Sequence, residues 1–76
     1  NKLEIYPNPT SDVLNIANIS SDKCDDIRVY DMSGRLLRQY SYECNLDVSD
    51  LSKGLYMIRV VTEDSGVYVG KFLIHR

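Results

Sequence analysis

The chain has one histidine and two cysteines. A Ser-His-Asp or Cys-His arrangement requires an imidazole held between two fixed partners. His75 is next to last in the sequence, where backbone order is weakest, and reads as an exposed terminal histidine rather than a base. Zinc has no ligand set, because neither a Cys-x-x-Cys nor a His-x-x-x-His spacing occurs. Asp22, Asp25 and Asp26 cluster, but they lack the alternate spacing and glycine of an EF-hand loop and read as a solvated acidic loop. Asp47 and Asp50 could form a carboxylate pair, although Asp50 is better placed to cap a turn. Six tyrosines could stack on sugar rings. They are dispersed along the chain without any tryptophan, as ordinary strand propensity would place them. These residues imply neither catalysis, metal nor cofactor.

Cys24 and Cys44 leave two readings open. A hairpin turning at Asp31–Gly34 sets position 24 near position 42, with Cys44 a diagonal neighbour at about 7–8 Å, slightly beyond the usual disulfide reach. A twist would bring the pair together, and closing a loop of about 20 residues would then contribute about 3 kcal/mol. Two free thiols are the equal alternative.

The elements that position these residues are strands. Apolar residues alternate over short runs separated by turn residues about every ten positions, and helical periodicity does not persist. The predicted strands are 3–6, 12–19, 26–31, 35–40, 44–48, 55–62 and 67–74. Pro7-Asn8-Pro9 ends the first, since proline donates no ladder hydrogen bond. Asp31-Met32-Ser33-Gly34 is a tight turn, and Glu63-Asp64-Ser65-Gly66 is another. Seven short strands with inward alternation predict an all-β, seven-stranded antiparallel sandwich, immunoglobulin-like in outline. Tyr56 would begin the sixth strand after a sheet-to-sheet crossing, placed to form a tyrosine corner.

The 76 residues make one domain. Hydrophobic residues are 43% and the net charge is −2, which removes the positive field that nucleic-acid binding requires. No apolar run is long enough for a membrane helix, and the expectation is no membrane insertion. The sequence opens on Asn1 rather than methionine, and is expected to be a piece of a longer protein.

Several phrases occur together in order: Tyr6-Pro7-Asn8-Pro9 with Asp12-x-Leu14-x-Ile16, then Val29-Tyr30-Asp31-x-x-Gly34-Arg35. Asp47-x-Ser49-x-Leu51-x-x-Gly54-x-Tyr56 and Gly70-Lys71-Phe72-Leu73-Ile74 follow. From Leu3 to Arg76 the chain resembles the C-terminal sorting domain of proteins exported by the type IX (Por) secretion system. The resemblance implies a label at the end of a larger cargo, with an upstream cargo domain in cis. It also implies recognition by the outer-membrane translocon, removal by a surface sortase, and passage through the periplasm to the cell surface or exterior. The sorting-signal candidates it marks are Gly54, Tyr56, Gly70, Lys71, Phe72 and Arg76, with His75 behind them. Gly54 and Tyr56 are expected to set the corner and Phe72 to lie in the core. Lys71 is expected to face outward for direct contact, and Arg76 to be free to reach a partner. Asp31, Gly34 and Arg35 are expected to serve the hairpin turn. The sequence departs from the family in ending Ile74-His75-Arg76 rather than in a lysine-rich tail, and in carrying two cysteines. An open edge on the last strand would pair with the receptor by strand addition, or with a second copy in a crystal. The alternative function is a structural or carbohydrate-binding module of an extracellular enzyme or adhesin.

Overall fold

Alternation of apolar and polar side chains governs the longest strands. In the computed structural model, which describes all residues from Asn1 to Arg76, Gly54–Thr62 buries Tyr56, Ile58 and Val60 while turning Leu55 and Arg59 to solvent. Such period-two burial is what a sheet with one covered face requires.

Seven strands form: β1 Ile5–Tyr6, β2 Val13–Ile16, β3 Cys24–Asp31, β4 Leu36–Tyr40, β5 Asn45–Asp47, β6 Gly54–Thr62 and β7 Val67–Ile74. The only helical element is a 3-10 turn at Ser21–Lys23. The strands make a three-stranded sheet, β1-β2-β5, and a four-stranded sheet, β4-β3-β6-β7, with every strand pair antiparallel. The sandwich is therefore all-β and seven-stranded, as its alternation predicts. The fourth strand pairs with β3 in the sheet that holds β6 and β7, rather than joining the first, second and fifth strands as in constant-type immunoglobulin domains.

The two inner faces close over one core. Leu14, Ile16 and Leu46 of the small sheet oppose Ile27, Val29, Ile58, Val60, Phe72 and Ile74 of the large one. Two bulges shape the large sheet. One, opposite the Val29–Tyr30 step, puts the extra residue Leu37 on β4 and shifts its register with β3. The other, at Asp25, shifts the register with β6 and returns Cys24 to the inner face.

Strand ends differ from the sequence reading where side chains and chain ends capture backbone groups. Leu3 leaves the first strand because its N–H donates to Val69 O (3.0 Å) across the sandwich edge. The second strand stops at Ile16. The Ala17 N–H goes to Glu4 O (2.8 Å), and the Asn18 amide donates to Lys2 O and accepts from the Glu4 N–H. The third strand starts two residues earlier than predicted, at Cys24.

Candidate functional site

The sorting-signal candidates converge on β6, β7 and the residues that follow β7. Gly54 opens β6 with φ +149°, a conformation few side-chained residues adopt, although the space around it is open. Two residues on, the Tyr56 hydroxyl donates to Ser52 O (2.5 Å), four positions back, which is a tyrosine corner. Its ring stacks on Phe72 at a centroid distance of 5.6 Å, and Phe72 is fully buried. Gly54 and Tyr56 thus set the corner and Phe72 fills the core.

Gly70 faces inward opposite Ile58. A Cβ there would lie 3.5 Å from both Ile5 Cδ1 and Leu3 Cβ, so the chain start crosses directly over it. The exposed Lys71 pairs with Met57 on the outer face, the orientation its sequence position predicts.

β7 is the last strand of its sheet, yet its outer edge is not open. The backbone of Asn1, Leu3 and Thr10 bonds to Val69, Leu73 and His75. The gap between falls at Pro7-Asn8-Pro9, whose prolines have no N–H to donate. There the Asn8 side chain substitutes for a strand: its Nδ2 donates to Lys71 O (3.1 Å) and its Oδ1 accepts from the Leu73 N–H (3.0 Å). The last strand therefore has no free edge for strand addition. The chain's own first ten residues occupy that edge, and the uncovered edge of the large sheet is β4.

Arg76 is likewise not free. Its guanidinium donates to the carbonyls of Ser11 (2.9 Å), Val48 (3.1 Å) and Ser49 (2.8 Å) and to that of Leu51. It binds the chain end to the β5–β6 crossing and to the loop before β2. His75 is exposed, and its N–H is held by Thr10 O (2.9 Å).

The Asp31–Arg35 phrase makes the turn expected of it. Asp31 Oδ1 accepts from Ser33 N–H (3.0 Å), Ser33 Oγ–H (2.6 Å) and Arg35 N–H (3.0 Å), while Oδ2 accepts from Arg35 Nε (3.1 Å). The Ser33 hydroxyl bond, joined by the backbone donors, holds this carboxyl down at about 2. Gly34 takes φ +90°. Asp47 repeats the device with Ser49 N–H and Oγ–H, and the Ser49 hydroxyl lowers its carboxyl as well. Asp50 does not join Asp47 as a catalytic pair but forms an ion pair with Arg38.

The other polar candidates separate. Asp25 accepts from the Tyr42 hydroxyl (3.0 Å), which that bond pushes up to about 12. Asp26 faces Arg28 (2.9 Å) and accepts from Gln39 (2.9 Å). No three His, Cys, Asp or Glu side chains converge in a way that could hold a metal ion. Cys24 and Cys44 are both thiols. Cys24 is buried with its Sγ toward Ser20 O (3.5 Å), and Cys44 is half-buried with its Sγ toward Asn45 Oδ1 (3.8 Å). Burial pushes the Cys24 thiol up. The expected opposition of position 24 to position 42 is present as a Tyr42 N–H to Cys24 O bond (2.7 Å).

Sequence reasoning missed Asn8, Thr10 and Asn18, the residues that tie the chain start down. The available signal was an amide lying between two prolines that cannot supply edge hydrogen bonds.

Fold and site together define a closed β-sandwich module whose motif residues pin its own ends. The family of secretion system C-terminal sorting domains matches residues 4–75, and the chain belongs to that family, whose members signal type IX secretion. The chain is 40% identical over 60 residues to Beta-agarase D of Zobellia galactanivorans, covering 78% of this chain and 12% of that protein. It is 29% identical over 77 residues to Ulvan lyase NLR42 of Nonlabens ulvanivorans, covering 93% of this chain and 14% of that protein. The chain therefore spans only a small part of the length of the curated relatives it matches.

Proposed function

We propose that this domain is the address label of a larger polypeptide and performs no reaction of its own. A cargo joined ahead of Asn1 passes through the periplasm, is accepted at the outer membrane because the type IX translocon engages the folded sandwich, and reaches the cell surface or exterior. A surface sortase then removes the label. The cargo class suggested by the relatives' names is a polysaccharide-degrading enzyme, and no cofactor is required of the label itself.

The observation that carries this reading is the family match over residues 4–75. The structure adds physical sense. A label used for unrelated cargoes must present one surface regardless of what precedes it. Here residues 1–10 are bonded into the β7 edge, so the surface is independent of the cargo.

The test is export of a periplasmic reporter fused ahead of Asn1 in a host with a type IX system. Surface display is expected with the domain and not without it. Retention of the reporter in the periplasm would refute the reading. A domain that stays attached to its mature cargo, and whose removal weakens substrate binding but not export, would establish a binding module instead. Deleting residues 71–76 is a poor control, because it removes Phe72 and Ile74 from the core along with the signal.

A further inference from the structure

Most residues that the motifs single out are consumed in building the fold, so recognition must use what the fold leaves exposed. One such feature is the outer face of β6 and β7. Four cross-strand pairs line it: Leu55 with Leu73, Met57 with Lys71, Arg59 with Val69, and Val61 with Val67. Val69 is 53% exposed and Leu55 45%, values unlike those of a covered sheet. Met57, Val69 and neighbouring Tyr30 border an open depression of ≈ 530 Å³, with Arg59 and Lys71 also on its wall.

The two cations give the face its chemistry. The chain's ion pairs use Arg28, Arg35 and Arg38, which leaves Arg59 and Lys71 without a carboxylate. The β6–β7 register makes them diagonal neighbours, about 7–8 Å apart at Cα in ladder geometry. Two like charges are thus held beside one another among the apolar side chains of β6 and β7, with Arg28 opposite Arg59 on β3 already paired to Asp26, in a chain whose net charge is −2.

From this arrangement we infer that the outer face of β6 and β7 docks a protein surface that is apolar and carries a carboxylate between Arg59 and Lys71. This rests on the sorting reading above and assigns the translocon's contact to that face, with Lys71 and Arg59 as its charged contacts. One carboxylate there relieves the repulsion of both cations while its apolar surroundings cover Val69 and Leu55. A second copy fits worse, because a two-fold contact on this face brings the same cations together. The net negative charge opposes binding to an anionic lipid surface.

The experiment uses the reporter fusion with Arg59→Glu/Lys71→Glu, and with Val13→Glu on the exposed face of the small sheet as control. The double variant is expected to lower surface display by about tenfold or more while its purified domain melts within about 3 °C of the parent. The control is expected to display normally. A photo-crosslinking residue at position 69 should link to a translocon subunit through an Asp- or Glu-bearing peptide, and one at position 13 should not. This readout needs no charge reversal and stands if the double variant unfolds. Parent and double variant displayed equally would overturn the inference and leave the sorting reading standing. A parent that is not displayed overturns both. Sedimentation showing a dimer that Val69→Glu dissolves would assign the face to self-association, and co-pelleting with phosphatidylglycerol vesicles would assign it to lipid. Either result overturns the proposal.

Discussion

Replacing Arg76 with alanine should unfold this domain at a lower temperature even though the residue lies at the end of the sequence. The guanidinium faces four backbone carbonyls, three of them through Nη2. Nη2 has only two hydrogens, so the set amounts to about three full hydrogen bonds. Hydrogen bonds to charged groups contribute about 1.5–3 kcal/mol each when well shielded. These carbonyls lie partly in water, which takes the guanidinium's place when it is removed, and the expected total is about 2 kcal/mol. For a domain of this size, that lowers the melting midpoint by about 8–16 °C. Lysine, a single point donor, cannot serve Ser49 and Leu51 together and should restore less than half. Circular dichroism melts of the purified domain at neutral pH make the measurement. A midpoint for Arg76→Ala within about 2 °C of the parent would refute the carbonyl-clamp argument. The reporter fusion adds a second reading. Display should fall with melting temperature and recover when cells are grown cold. An Arg76→Ala domain that melts normally yet is never displayed would make Arg76 a direct receptor contact.

Acid should loosen the turns. Asp31 is held at about 2 in the fold against about 3.9 unfolded. This depressed value gives stabilisation that is complete above about pH 4 and lost as pH falls through about 2. Asp31→Asn should flatten this part of the pH–melting curve, and an unchanged curve would remove the turn's role. Gly54→Ala should cost about 1–3 kcal/mol from its positive φ, whereas Gly70→Ala, with its Cβ at ordinary contact distance, should stay within about 0.5 kcal/mol by denaturant titration. Phe72→Ala, which empties the core beneath Tyr56, should cost about 3–5 kcal/mol, enough to leave a small domain largely unfolded by the same assay. A thiol reagent should titrate Cys44 readily and Cys24 only on unfolding, and a count below two would show a bridge.

Strand existence was legible because each strand carries its own alternation; β7 was bounded at Val67 and Ile74 from pattern alone. The turn at Asp31 and the corner at Tyr56 were legible because their bonds are local, spanning two to four residues. The chain ends were not. Whether Leu3 belongs to the first strand or crosses to Val69 depends on a contact 66 residues away, and nothing in the local pattern distinguishes the two. The role of Arg76 is illegible for the same reason. A terminal cation looks free unless the carbonyls gathered by the β5–β6 crossing are known to point at it.

The inward anchoring of Arg76 changes how the family's motif should be understood. Gly54, Tyr56, Phe72 and Arg76 form one chain of constraints: φ at the corner, the Tyr56–Ser52 bond, the Tyr56–Phe72 stack, and the clamp from Arg76 onto Val48–Leu51. Each lies on the inside of the fold or is turned toward it. Substituting any of them is expected to lower export by destabilising the label, so loss of export alone does not locate a receptor contact. Arg59, Leu55 and Val69 have the opposite character. They contribute little to the core, and Arg59 and Val69 do not belong to any motif phrase. A receptor that reads shape plus two cations tolerates much variation among the apolar residues around them.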